Sequence, residues 1–121
     1  MDYLKLMMEH KKKPLNIIQV CKIGMRTVEQ LKVLHDKLYL HHDVKPNNIL
    51  SNYTKQFTTA NKAKDEDMVT LIDFGCSELH GKEVKQSLGH PAFQSRYVLS
   101  GFKRTWRDDM IALLYTLIYL V

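Results

Sequence analysis

The sequence predicts an α+β fold in which helix outweighs strand. Three observations carry that reading. Apolar residues recur at helical spacing between Leu15 and Lys37, Met68-Val69-Thr70-Leu71-Ile72 is a β-rich run, and the stretch from Met110 to Val121 is apolar over a helical length. With 121 residues, 45% of them hydrophobic, the chain can bury one modest core and not two, so residues 1–121 are read as one unit.

Element by element, Met1 to Lys13 is a short amphipathic stretch ending in Lys11-Lys12-Lys13, read as a solvated helix end or loop. Pro14 suits the first turn of a helix, where its missing N–H is not needed. The helix is expected over Leu15 to Lys37, its apolar stripe running Ile17, Cys21, Met25, Val28, Leu31, Leu34 and Leu38. Gly24 weakens it by about 1 kcal/mol relative to alanine but leaves room for a close neighbour. Leu38-Tyr39-Leu40 leads into His41-His42-Asp43. Ile49-Leu50 reads as a strand, Ser51 to Asp67 as a long exposed hairpin loop, and Met68 to Ile72 as the returning strand. Cys76 to Gly89 and Gly101 to Arg107 read as irregular, and Asp108-Asp109 opens the last helix, where acidic residues suit the N-terminal dipole. That helix is expected to be a buried core helix.

Composition excludes some classes. The net charge of +5 attracts phosphates, acidic peptides or nucleic acid without choosing among them. Cys21 and Cys76 form no CxxC pair, so both are read as free thiols in a reducing compartment, with neither a disulfide framework nor a zinc site. No compact apolar leader is visible, no apolar run reaches the roughly 20 residues that span a bilayer, and the sequon Asn52-Tyr53-Thr54 is read as silent. The expectation is an intracellular protein of cytoplasm or nucleus, with no nucleic-acid or membrane partner.

Chemistry concentrates in two segments, His41-His42-Asp43-Val44-Lys45-Pro46-Asn47-Asn48 and Asp73-Phe74-Gly75. A phosphoryl donor such as ATP needs a divalent cation on its oxygens, and hard Mg²⁺ prefers carboxylate and amide oxygens. Asp73 and Asn48 are of that type. A hydroxyl nucleophile needs an oriented carboxylate, which Asp43 can supply, and Lys45 can set a positive charge on the transferring group. A rival reading makes His41, His42 and Asp43 a metal cluster, although adjacent histidines on an extended segment point apart.

These segments resemble the protein kinase signature of His-Arg-Asp, an asparagine five positions after the aspartate, and a later Asp-Phe-Gly. The match holds at His41, Asp43, Asn48, Asp73, Phe74 and Gly75, and Lys45-Pro46 is similar to the serine/threonine class. Downstream, Gly89-His90-Pro91-Ala92-Phe93-Gln94-Ser95, Arg107-Asp108-Asp109 and the apolar helix resemble the casein kinase I group, as does the helix before the catalytic loop with Leu34-His35. The resemblance implies part of a kinase C-terminal lobe with a short β-hairpin carrying the catalytic and Asp-Phe-Gly segments. It implies Asp43 as catalytic base, Lys45 on substrate and γ-phosphate, and Asn48 and Asp73 as Mg²⁺ ligands. The cofactors would be ATP and Mg²⁺, and the partner a protein substrate phosphorylated on Ser or Thr, acidic or already phosphorylated in keeping with the +5 charge. Asp109 has two readings, a buried tie between catalytic loop and central helix or a plain helix cap.

The chain also departs from the pattern. His42 stands where the family has an arginine that pairs with an activation-loop phosphate, and at a reference pKa of about 6.5 it is mostly neutral at pH 7. His90 stands where a threonine hydroxyl would bond the aspartate and lysine, and its presence is expected to loosen Asp43. The polar stretch 51–67 is longer than its casein kinase I counterpart. No Gly-rich loop or Val-Ala-Ile-Lys strand occurs in the sequence, so the chain is read as a C-lobe piece, marginally stable and inactive alone. The alternatives are a pseudokinase-like binding module and a truncated or degenerate copy.

Overall fold

The computed structural model describes residues 15–51 and 69–121 together with the backbone of residues 2–3. The Lys11-Lys12-Lys13 cluster, Pro14, the sequon and the long loop lie outside the described residues.

The first helix, α1 (Ile17–Asp36), starts where Asn16 can cap it. Asn16 Oδ1 accepts from the Gln19 N–H at 2.9 Å and Gln19 Oε1 accepts from the Asn16 N–H at 3.1 Å. This reciprocal pair satisfies two donors that a helix N-terminus otherwise leaves open, which is why the helix begins after Leu15. It ends at Asp36, and Leu38 turns the chain out of it with φ +64°.

Two small antiparallel sheets follow. β1 (Asp2–Tyr3), β3 (Ile49–Ser51) and β4 (Val69–Leu71) form the order β1-β3-β4. In the β3–β4 pair Ile49 faces Leu71 and Ser51 faces Val69. β2 (Tyr39–Leu40) pairs with β5 (Glu78–Leu79), matching Leu40 to Glu78. Short 3₁₀ turns occupy Pro46–Asn48, Phe74–Cys76 and Pro91–Phe93. A one-turn helix, α2 (Arg96–Leu99), precedes α3 (Trp106–Leu120).

The core lies where α1 packs on α3 along one flank and on strand β4 along another, with Val20, Ile23, Leu31, Ile49, Leu71, Leu113 and Leu120 buried together. A Cβ on Gly24 would stand 2.8 Å from Leu117 Cδ1, so the glycine sets how closely the two helices approach. The edge strand β4 is closed by a side chain. Gln30 donates to the Val69 carbonyl at 3.0 Å and accepts from the Leu71 N–H at 2.8 Å, pairing groups an open edge would leave unmatched.

Several expectations are corrected. The buried face of α1 is Val20, Ile23, Gly24, Thr27 and Leu31. Of the predicted stripe only Leu31 is fully buried, while Ile17, Cys21, Met25, Val28 and Leu38 are exposed. The true face includes two residues that do not read as apolar. Gly24 is buried by the approach of α3, and the Thr27 hydroxyl is satisfied within the helix by the Ile23 carbonyl at 2.8 Å. The last helix is buried on one side only, with Leu114 (54%) and Ile118 (63%) exposed on the other. Glu78–Leu79 adds a strand to the supposedly irregular 76–89 stretch, and α3 begins at Trp106, inside the expected 101–107 loop.

Candidate functional site

The segment 41–48 is anchored from below by α3. Asp109, 3% exposed on the first turn of that helix, accepts from the backbone N–H of His41 at 2.8 Å and of His42 at 2.9 Å. His35 Nε2 of α1 meets the same carboxylate at 2.8 Å. Two successive N–H groups converge on one side chain because the backbone turns sharply at His42, with φ +69°. Burial alone would raise the Asp109 pKa. The hydrogen bonds from His35 and the two backbone N–H groups outweigh it and hold the carboxyl below its usual range. Asp109 is therefore the tie of the two readings. Capping falls to Asp108, whose Oδ2 accepts from the Thr105 N–H at 2.7 Å and whose Oδ1 accepts from the Ser95 hydroxyl.

His41 is fully buried and joins the segment to the end of β4. Its Nε2 donates to the Ile72 carbonyl at 3.1 Å, and its Nδ1 accepts from the Asp43 N–H at 3.2 Å. One nitrogen donates and one accepts, so the ring is neutral, and burial lowers its pKa in the same sense. With both nitrogens engaged His41 has no lone pair left for a metal. Among the described residues no group of three His, Cys, Asp or Glu side chains is arranged to hold one, which overturns the His41-His42-Asp43 cluster. The Phe74 ring packs edge-on against His41, with centroids 5.1 Å apart.

Asp43, Lys45 and Asn48 come together directly. Asp43 Oδ2 receives Lys45 Nζ at 2.7 Å and Asn48 Nδ2 at 3.0 Å, and Asn48 Nδ2 also donates to the Asp43 carbonyl at 2.8 Å. The 3₁₀ turn at Pro46–Asn48 makes this five-residue return possible, with Pro46 in its first position. Asp43 Oδ1 is buried and has no hydrogen-bond partner among the described residues. An unpaired buried carboxylate oxygen is costly, so this atom is poised to accept a hydrogen bond.

Asp73 is not bonded to these three. The Ile72 N–H donates to the Asn48 carbonyl at 2.9 Å, continuing the β3–β4 ladder, so Asn48 and Asp73 leave the hairpin at one end. Asp73 adopts φ +62°, and among the described residues its exposed carboxylate accepts from the Gly75 N–H alone, at 3.3 Å. Both Asn48 bonds use Nδ2, which leaves its Oδ1 and the Asp73 carboxylate as hard oxygen donors at the same hairpin end. That donor chemistry fits Mg²⁺.

The residues that depart from the signature are also settled in place. His42 Nε2 is buried with no hydrogen-bond partner among the described residues. Burial lowers the His42 pKa, Asp109 opposes this, and Arg104 adds to it. Gly89 supports the same turn. It has φ +85°, and a Cβ there would lie 2.4 Å from the His42 carbonyl oxygen, so no side chain fits. His90 Nδ1 accepts from the Ala92 N–H at 3.2 Å, capping the 3₁₀ turn at Pro91–Phe93. The parts that sequence reasoning did not foresee are the reach of His35 to Asp109 and the contact of Gly89 with His42. Each joins residues far apart in the chain, and no spacing rule signals them.

The protein kinase domain family model matches residues 1–121. A probable casein kinase I homologue of Encephalitozoon cuniculi (strain GB-M1) is 26% identical over 110 residues, covering 81% of this chain. The chain spans 30% of the length of that curated relative.

Proposed function

The chain belongs to the protein kinase domain family and is casein kinase I-like, and from that premise we propose that it carries the part of the catalytic machinery that moves the γ-phosphoryl group of ATP to serine or threonine hydroxyls of proteins. Residues 1–121 are read as part of a C-terminal lobe, with the β3–β4 hairpin presenting the catalytic and Asp-Phe-Gly segments. The observation that supports this reading best is the Asp43 carboxylate, one oxygen held by Lys45 and Asn48 and the other buried and unpartnered.

In this reading Asp43 Oδ1 accepts the hydrogen bond of the substrate hydroxyl, aligns it, and takes its proton as the oxygen–phosphorus bond forms and the bond to the departing diphosphate breaks. Lys45 and Asn48 keep the carboxylate from rotating away. Lys45 also sets positive charge where negative charge spreads over the transferring group. Mg²⁺, when bound by Asp73 and the Asn48 side-chain oxygen, supplies neutralisation of the phosphate oxygens.

A second reading, a non-catalytic binding module, draws on the unpartnered His42 Nε2 and on His90, whose side chain caps its own turn. Two measurements on the full-length protein separate them. Mg²⁺–ATP should raise the melting temperature, by mass action on the folded state, and Asp73→Ala or Asn48→Ala should remove most of the rise. Labelled γ-phosphate should appear on Ser/Thr peptides. A thermal shift with no transfer would favour the binding module, and a shift indifferent to both substitutions would overturn the metal ligands.

A further inference from the structure

Arg104 is half-buried in the short stretch between α2 and α3. Its Nη2 group donates to two backbone carbonyls of the segment that follows Asp73-Phe74-Gly75, Leu88 at 2.7 Å and Gln86 at 3.1 Å. Gln94 Nε2 donates to the same Leu88 carbonyl. A carbonyl oxygen has two lone pairs, so two side chains occupy all that Leu88 offers. The guanidinium is charged at every working pH, and a charged donor makes a bond about twice as strong as a neutral one. Among the described residues Arg104 makes no hydrogen bond to Asp43, Lys45 or Asn48.

What the clamp holds is the residue after Leu88. Gly89 packs on the turn that leads into Asp43, so closely that a Cβ would stand 2.4 Å from the His42 carbonyl oxygen. The same turn gives His42 its φ of +69°. His42, Asp43, Gln94 and Arg104 also share the wall of a gap of about 20 Å³. So small a space leaves its walls little room to shift independently. A displacement of residues 86–89 therefore passes into His42 and Asp43.

We propose that Arg104 is a positioning residue for phosphoryl transfer: together with Gln94 it latches residues 86–89, so that Gly89 braces the His42 turn and keeps Asp43 where the substrate hydroxyl meets it. This rests on the phosphoryl-transfer reading of Asp43. The brace affects the reaction more than the fold. Without the guanidinium, the exposed Gln86 can turn its carbonyl to water and Leu88 keeps the bond from Gln94, so little stability is lost. The reaction is less tolerant, since a reacting group misplaced by about 1 Å costs up to about 100-fold in rate.

The test compares the full-length protein with its Arg104→Ala, Arg104→Lys and Gln94→Ala variants on a serine peptide. Arg104→Ala should lower kcat about tenfold or more while KM for Mg²⁺–ATP stays within about threefold. Arg104→Lys keeps a cationic donor and should recover several-fold of that loss, and Gln94→Ala should lose less than Arg104→Ala. Amide hydrogen exchange reads the coupling without turnover. In Arg104→Ala it should quicken at residues 86–89 and also, by about threefold or more, at residues 42–44. If Arg104→Ala fails to fold, Arg104→Lys and Gln94→Ala carry the same two readouts. An unchanged kcat in Arg104→Ala would overturn the proposal, as would exchange that quickens at 86–89 alone. Equal losses in the lysine and alanine variants, with exchange at 42–44 unaltered, would overturn it too. Exchange that quickens at both segments in a protein that transfers no phosphate would keep the brace and refute the catalytic reading. Transfer that ignores the loss of Arg104 would do the reverse.

Discussion

Asp109 receives three hydrogen bonds on two oxygens, and each comes from a segment that must stay put for Asp43 to hold its position. Truncating it would leave two backbone N–H groups and the His35 imidazole without their buried acceptor. Asp109→Ala should therefore lower stability by about 3 kcal/mol or more in urea unfolding. A loss under 1 kcal/mol would mean water replaces the carboxylate at little cost. Because the folded Asp109 pKa is depressed, its contribution is present above the unfolded value near 3.8 and fades as pH falls through the folded one. The histidines act in a milder range. Burial lowers both His41 and His42 from 6.5, so between 6.5 and their folded values the unfolded chain binds more protons. Stability must then fall as pH drops from 7.5 toward 5.5, and His42→Gln should flatten part of that slope in a melting-temperature profile. A flat wild-type profile would contradict the buried neutral state. At this scale the segments that hold Asp43, Lys45, Asn48 and Asp73 stood out in the sequence by their resemblance to a family signature, and the structure brings the first three into direct contact. The division of labour between Asp108 and Asp109 did not stand out, since both stand in one helical turn and only the tertiary partner separates them.

The elements that carry the site are two helices and a short hairpin, and their fit depends on small and polar residues. Gly24 admits Leu117 against α1. Gly24→Ile should overpack this crossing and cost about 1–3 kcal/mol, whereas alanine gains about 1 kcal/mol of helix propensity against a clash with the flexible end of Leu117. Measured stabilities that rank isoleucine at or above glycine would contradict the close crossing. Gln30 holds β4 from the side, and Gln30→Ala should cost about 1–3 kcal/mol by leaving the Val69 carbonyl and the Leu71 N–H unpaired. Faster amide exchange at Leu71 would report the same loss. The existence and approximate span of α1, α3 and the β3–β4 strands were legible from periodicity and β-propensity. The buried face of α1 was not. Hydrophobicity alone favoured Ile17, Met25 and Val28 over Gly24 and Thr27, and a glycine contact with a satisfied threonine leaves no hydrophobic signal.

Across the whole molecule, α3 organises the described part of the fold. Its first turn ties the segment 41–43, and its middle packs on α1. The half-buried character of this helix escaped the largely apolar run from Met110 to Val121, because hydrophobicity says that a face is sticky and not what covers it. The family was legible because the segments 41–48 and 73–75 keep their order and local context. The central claim is that Asp43, held at one oxygen and open at the other, accepts the proton of a protein hydroxyl. The most direct measurement compares phosphate transfer to a serine peptide by the full-length protein and its Asp43→Asn variant, with melting temperatures confirming that both are folded. The expected result is a fall in kcat of about 100-fold or more with the Mg²⁺–ATP thermal shift retained, and turnover within a few-fold of the original would contradict it.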